Sequence, residues 1–442
     1  MVRLFRRDRP LVRPWALAGP IVVLMLLAPL LRPLWSPGRA SPAERVTLEA
    51  VRSILRDGTL ALDRHRVQPG DPVFQRDGQA FSQDPPAFDA MLAGVGWAIE
   101  RSGVRADDSP LLFVYLLTLF AVAVPTAIAC GLIYRTGRIF EISRPARVGL
   151  AISCVMATGW ASYATSLRPT ALATAGVVAA IAGVIQFARA DRPGLALGWV
   201  FFAGLVAMAA GVIEPLAVWA LPAALVGIVC ANTKIRWRAA GIVLLLAGAA
   251  APAALHWTLN RPLVGDWRPP RWHVYQPKPA LVPLLDAEDD PLPSGWSGLG
   301  RGVGRTLTLT VGEHGLFSHF PVLVLGLAGA GLIVRRHWTG SVKAMAAFTL
   351  LSLAGAIIYK MSVRPDWINT GFAAPRLAVF SPALLMWAGA WLRRRHGAVV
   401  WTVSGIALAV SLIATIIGIL TTTPTDGFSH YTLAEAVERL FR

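Results

Sequence analysis

The stretch PLLFVYLLTLFAVAVPTAIACGLIY, residues 110–134, contains no charged side chain, and RTGRIFEISRPAR follows it directly at 135–147. An apolar run of about 20 residues is long enough to cross the hydrocarbon core of a bilayer as an α-helix. Because backbone groups cannot bond to water in lipid, a continuous apolar run predicts a helix. The arginines after the run predict that this helix ends at the cytoplasmic surface, where short loops collect basic residues.

Apolar runs of this kind recur along the whole chain. Hydrophobic residues make up 55% of its 442 residues and charged residues only 15%, which is unlike the composition of a soluble domain. We therefore predict an all-α polytopic membrane protein with about eleven transmembrane helices. The predicted spans are 15–34, 110–134, 148–166, 170–188, 195–212, 215–231, 239–257, 319–334, 344–360, 377–392 and 398–420. They form one predicted domain, 1–420, followed by a short outer C-terminal tail, 421–442.

The net charge of +17 is concentrated on one side of the predicted membrane. The N-terminal segment and every second loop together hold 20 basic and three acidic residues, whereas the rest of the chain holds 22 of each. Because basic residues mark the cytoplasmic side, the chain is expected to be a multi-pass protein of a bacterial inner membrane with a cytoplasmic N-terminus. Two large loops, 35–109 and 258–318, are then outside. This placement argues against a nucleic-acid partner.

The first outer loop contains two helix starts. Ser41 to Glu44 has the pattern of a capping box, with Ser as N-cap and Glu at the third helical position, and Gly58 closes the helix. Asp84-Pro85-Pro86 opens a second helix, in which Asp84 is expected to be the N-cap. The second helix, 85–100, is amphipathic and too short to span. Both helices, 42–56 and 85–100, are predicted to lie along the outer surface.

The order of these features resembles the GT-C class of lipid-linked-sugar glycosyltransferases, which includes protein O-mannosyltransferases and lipid A aminoarabinose transferases. The first outer loop carries the motif from Glu44-Arg45 to Gly58 and then Phe81-Ser82-Gln83-Asp84-Pro85-Pro86. Later matches are Gly315-Leu316-Phe317-Ser318-His319-Phe320-Pro321 and the segment from Trp367 through Gly371 to Pro375-Arg376. The resemblance covers about residues 15–392 and consists of topology plus short motifs.

This resemblance implies a membrane glycosyltransferase that moves a sugar from a polyprenyl-phosphate donor to an acceptor at the outer membrane face. The expected partners are a polyprenyl-phosphate-linked sugar and membrane lipids, with no cofactor. Such a reaction needs a carboxylate that accepts the proton of the acceptor hydroxyl or amine. It also needs cations that neutralise the departing phosphate, for which the forked guanidinium of arginine is well suited.

The candidate catalytic carboxylates are Glu44, Glu49 and Asp84. Members of the class usually carry an acidic pair after the first helix, and the two positions fall on Ala43 and Glu44 here. Glu44 could also serve only in the capping box. Glu49 lies about 140° around the helix from Glu44, so both cannot face one substrate equally. Members usually have Lys where this sequence has Asp84.

The candidate substrate-binding residues are Arg376, Lys360, Arg168 and Trp367, all near the outer ends of predicted spans. Arg376 is the first candidate for phosphate contact, although a boundary arginine can also be a simple membrane anchor. Glu214, in an outer turn, either faces the cavity or is a solvated turn residue. No metal is expected, because His314 and His319 have no convincing third ligand.

Two other functions remain open from the sequence. A non-catalytic GT-C-like protein that binds lipid or a partner is favoured by Ala43 and Asp84, which depart from the usual motif residues. A transporter or flippase is less well supported, because charged residues are nearly absent within the spans. Transporters usually place polar groups or broken helices at the membrane midplane.

Overall fold

A computed structural model describes residues 42–68, 71–190, 193–268, 270, 306–307, 310–312, 315–362, 377–394 and 396–420. The predicted first span, the C-terminal tail and most of the loop 258–318 lie outside these ranges. Six of the described helices are long and apolar enough to cross a membrane.

The described chain is built almost entirely of helices. In chain order they are α1 Pro42–Asp57, α2 Pro86–Arg101, α3 Pro110–Phe140, α4 Arg144–Met156, α5 Trp160–Ala164, α6 Pro169–Ala188, α7 Pro193–Ile213, α8 Ala220–Val229, α9 Ile235–Val264, α10 Leu316–His319, α11 Leu323–Arg335, α12 Gly340–Ser362, α13 Ser381–Met386, α14 Ala388–Leu392 and α15 Ala398–Leu420. Two 3₁₀ turns, Pro215–Trp219 and Leu377–Phe380, precede α8 and α13. A two-stranded hairpin pairs β1 Val73–Arg76 with β2 Gln79–Ser82. The predicted all-α polytopic fold class is confirmed.

The predicted span 148–166 is broken. The helix α4 ends at Met156, and α5 begins only after Gly159, whose φ of 73° is readily adopted by glycine. The ring of Phe320 fills the space beside Gly159, since an added Cβ would lie 2.6 Å from its Cζ. The freed Gly159 N–H is satisfied by the Thr415 hydroxyl at 3.3 Å. A polar side chain from another helix therefore supports the break, as buried backbone in a membrane requires.

The helices α6 and α7 pack with their backbones unusually close. An added Cβ at Gly176 or Gly183 of α6 would lie 2.8 Å from the carbonyl oxygens of Val206 and Trp199 in α7. Small residues permit such close approach, which is how helices in lipid gain van der Waals contact.

The first outer loop is docked onto the beginning of the second. Asp77 and Gly78 both have positive φ, 48° and 78°, and form the tight turn of the β1–β2 hairpin. Asp-Gly between two short strand-forming segments is a hairpin signal in the sequence. Arg76 in this hairpin donates hydrogen bonds to the carbonyl oxygens of Pro262, at 2.8 Å, and Leu263 at the end of α9. The two loops predicted to be outside thus meet at one end of the helices.

Candidate active site

The side chain of Glu44 contacts an element of the fold other than its own helix. Its side chain belongs to the first turn of α1 and is only 6% exposed. The backbone N–H of Leu167, in the turn before α6, donates to its Oε1 at 3.3 Å. Ser41 lies outside the described residues, so the capping box stays a prediction. The contact with Leu167 shows that Glu44 does not point only at the N-terminus of its own helix.

Arg168 immediately follows Leu167 in the same turn. Its backbone is extended, with φ −119° and ψ 140°, because the next residue is Pro169, the first residue of α6. Its charge acts electrostatically on the buried phenol of Tyr163 in α5. The turn held by Glu44 therefore also carries a cation, as a site for a phosphate-linked substrate requires.

The expected capping role of Asp84 is wrong. The helix α2 begins at Pro86, its N-cap is Pro85, and no side chain makes a capping hydrogen bond there. Pro85 has a ψ of 126°, so the helix cannot begin one residue earlier. Asp84 is 7% exposed, and its backbone N–H donates to the Ser82 hydroxyl at 3.1 Å. Helix capping therefore does not explain why the Asp84 carboxylate is buried at the start of α2.

The sequence reading missed Asp89, one turn further along α2. Asp89 is 1% exposed, and its Oδ1 has no hydrogen-bond partner in the described part of the chain. Burial raises the pKa of Asp89 well above its usual value, and the nearby charge of Asp84 raises it further. A sequence signal existed, because Asp89 shares the helical spacing of Leu92, Gly96 and Ile99, which are all buried.

The helices α1 and α2 lie side by side with their N-termini toward the hairpin. Val51 and Leu55 of α1 pack against Gly96 of α2. Earlier in α1, Val46 belongs to a separate apolar cluster with Ala80 of β2, the strand that leads into α2. The start of each helix is therefore at the same end, which brings the Glu44 region and the Asp84–Asp89 segment to one side of the molecule.

Glu49 belongs to a different surface. It forms ion pairs with Arg66 at 3.4 Å and with Arg52 at 3.7 Å, and its side chain is 11% exposed. The geometry follows from the helix, since five residues rotate a side chain to nearly the opposite face. The structure therefore brings Glu44, but not Glu49, to the turn that carries Arg168.

The remaining candidates are only partly described. Lys360 lies in the last turns of α12, and Arg376 and Trp367 lie outside the described residues. Glu214 is 3% exposed, so it is buried rather than solvated. Its turn packs against Leu377–Phe380, the 3₁₀ turn that directly follows Arg376.

The side chain of His319 contacts the backbone at the start of its own short helix. It is 1% exposed, and its Nδ1 lies 2.9 Å from the carbonyl oxygen of Gly315. His314 lies outside the described residues. The described contact of His319 therefore stabilises the short helix α10.

Neither a family model nor a curated protein matches the sequence. The fold is similar to that of ArnT from Cupriavidus metallidurans bound to undecaprenyl phosphate, with a TM-score of 0.55, 14% identity, and coverage of 91% of this chain and 64% of ArnT. It is also similar to the apo oligosaccharyltransferase from Archaeoglobus fulgidus, with a TM-score of 0.51, 11% identity, and coverage of 92% and 57%. The chain thus spans less than two thirds of either structure. The chain is a polytopic helical membrane protein with the GT-C fold of these two structures.

Proposed function

We propose that the chain is a membrane glycosyltransferase that moves a sugar from a polyprenyl-phosphate donor to an acceptor at the outer face of a bacterial inner membrane. The fold supports this proposal, since a similar structure was solved with undecaprenyl phosphate bound. The observation that carries it is the buried Glu44 carboxylate, held against the turn that contains Arg168. The catalytic unit is the single domain 1–420, with the N-terminus in the cytoplasm.

Glu44 is the proposed general base. The oxygen or nitrogen of the acceptor attacks the anomeric carbon of the donor sugar, and a new bond forms there. The bond between that carbon and the phosphate oxygen breaks, and the electron pair leaves with the polyprenyl phosphate. The acceptor proton passes to Glu44, because the attacking group becomes acidic as its bond to carbon forms.

The proposed cations neutralise the phosphate as it leaves. Arg376 is the proposed principal contact, and Lys360 and Arg168 are proposed to assist it. A charge-assisted hydrogen bond of this kind contributes about 1.5–3 kcal/mol. Trp367 offers an aromatic surface for the sugar. Asp84 is the second carboxylate of the proposed site, and the helix start no longer explains its presence.

The test of this function is a profile of lipid-linked sugars by mass spectrometry. Cells that lack the gene should accumulate one polyprenyl-phosphate sugar, and the wild-type gene should remove it. The E44Q variant should leave the accumulation in place while the protein is present in membranes at wild-type amounts. The same lipid profile with and without the gene would contradict the proposal.

Sidedness is tested separately by cysteine labelling in intact cells with a membrane-impermeant reagent, using a C230S background because Cys230 is exposed. An introduced cysteine in D63C, on the first outer loop, should be labelled. One in R394C, after α14, should be labelled only after the membrane is permeabilised. The reverse pattern would overturn the orientation, which rests on the distribution of basic residues.

The second candidate is a non-catalytic protein of the same fold that binds lipid or a partner. Ala43 favours it, because an acidic residue usually stands there in the class that the sequence resembles. Glu44 would then only hold the Leu167 turn in place. The two functions separate at E44Q, since a structural Glu44 predicts loss of stability, whereas a catalytic Glu44 predicts loss of turnover in a stable protein.

A further inference from the structure

Asp89 is the most deeply buried acid of the first outer loop and has no structural explanation so far. Its Oδ1 is sealed from solvent and unpaired within the described chain. The helices α1, α3, α7 and α9 pack against α2. The charge that acts on Asp89 is another carboxylate, Asp84.

Such a carboxylate is unstable as an anion. Removing a charge from water without a partner is far more costly than binding a proton, so an isolated buried carboxyl neutralises itself. A second nearby carboxylate strengthens this preference, because two like charges at short range repel. Asp84, at 7% exposed, retains more access to solvent than Asp89, at 1%. The proton of this pair therefore belongs to the more deeply buried Asp89.

We propose that Asp89 is a positioning residue that keeps a proton beside Asp84, so that the pair carries a single negative charge while the enzyme works. This proposal rests on the glycosyltransferase function proposed above, in which Asp84 is the second carboxylate of the site. Asp84 then offers an ionised oxygen to a hydroxyl of the sugar or of the acceptor. Asp89 exchanges no proton with the substrate during the transfer.

The rate of sugar transfer should depend on pH through Asp89. When alkaline pH removes the proton from Asp89, the start of α2 acquires two adjacent negative charges inside a buried region. That repulsion should displace Asp84 and lower the rate of transfer. Removing the charge of Asp84 should make Asp89 easier to ionise, because that charge raises the pKa of Asp89.

The decisive test is infrared spectroscopy of the purified full-length protein in detergent at neutral pH. The spectrum should contain the carbonyl band of a protonated carboxylic acid, and this band should be absent in D89N and present in E49Q. The band should disappear on alkaline titration, and in D84N it should disappear at a lower pH than in wild type. No difference band between wild type and D89N at neutral pH would overturn the proposal.

A second measurement connects the proton to the reaction. The pH profile of sugar release from the lipid-linked donor, measured in membranes, should fall at alkaline pH for wild type but no longer fall for D89N. A D89N profile with the wild-type alkaline fall would contradict the positioning role. Because the infrared band requires no turnover, a protein that shows the band but transfers no sugar would refute the proposed function without refuting the protonated Asp89.

Discussion

The two ends of the helix bundle differ in how deeply they bury acidic side chains, although exposed ion pairs such as that between Arg56 and Asp107 also occur in the first outer loop. At the end that contains Glu44, the acids Glu44, Asp84, Asp89 and Glu214 are all buried, with exposures of 1–7%. At the end that contains Arg393, charges are paired in solvent or lie over aromatic rings. Arg393 contacts Glu141 at 2.6 Å, and both side chains are at least half exposed. The guanidinium of Arg135 lies 5.1 Å from the ring of Trp199. That of Arg147 lies 5.1 Å from the ring of Tyr134.

This contrast separates two uses of charge in a membrane protein. The exposed ion pair between Arg393 and Glu141 loses little hydration, whereas Arg135 and Arg147 are partly desolvated and lie over aromatic rings that attract a cation. Burying a carboxylate costs much more free energy, so a buried carboxylate persists only where another interaction stabilises it. The Glu44 end therefore needs a functional explanation, whereas the predicted cytoplasmic placement accounts for the basic residues of the Arg393 end.

The largest expected effect is at Glu44. Replacement of this proposed base by Gln should lower the rate of sugar transfer by about 10²–10⁴-fold, the usual loss when general-base catalysis is removed. The matched control is E49Q, which changes an acid of the same helix that pairs with Arg66 on another face. Sugar release from the donor in isolated membranes measures both. Equal losses of transfer rate in E44Q and E49Q would contradict a specific role of Glu44 as the base.

Much of the fold was predictable because its signal is simple. Apolar runs and the placement of arginines predict helices and their order, and the predicted helices 42–56 and 85–100 appear as α1 and α2. The split of the predicted span 148–166 was not predictable from hydropathy. Its cause is a contact distant in sequence, between Gly159 and the ring of Phe320, supported by the hydrogen bond that the Gly159 N–H donates to the Thr415 hydroxyl.

The candidate site was harder to predict than the fold. Glu44 stood out from the motif, but its partner, the N–H of Leu167, is more than a hundred residues away. Asp89 was missed because the aromatic and aliphatic residues around it dominate the amphipathic pattern. Asp84 was assigned to a cap on the basis of local spacing, which does not show that Pro85 takes the N-cap position.

A second prediction concerns the break between α4 and α5, which leads the chain toward the Leu167 turn. G159A should lower the free energy of unfolding by about 1–3 kcal/mol, because Ala is strained at positive φ and its methyl group would meet Phe320. G149A is the control, since an added Cβ there meets nothing within 4 Å. Thermal unfolding in detergent measures both. A G159A protein as stable as G149A would mean that the break tolerates a regular helical residue.

A third prediction uses the sign of the Asp89 shift. Its folded pKa is raised, so its contribution to stability is complete below the unfolded pKa of about 3.9 and is lost as pH rises through the folded value. D89N cannot ionise and should therefore become more stable relative to wild type as pH rises from 4 toward neutral, by about 1.4 kcal/mol for each unit of the shift. Melting temperatures across that range give the answer, and a constant difference would contradict it.

The smallest expected effect is at the other end, in the ion pair between Glu141 and Arg393. Both side chains are at least half exposed, so water screens the pair, and its coupling should be only about 0.2–1 kcal/mol. The single variants are not equivalent, because Arg393 also lies 6.0 Å from the ring of Trp338 and R393Q loses that contact as well. A double-mutant cycle of E141Q and R393Q isolates the pair itself, with unfolding in detergent as the measurement. Its coupling should fall further in high salt, because exposed charges are screened. A coupling of several kcal/mol that resists salt would mean that this end is as shielded as the Glu44 end, and the contrast between the two ends would no longer hold.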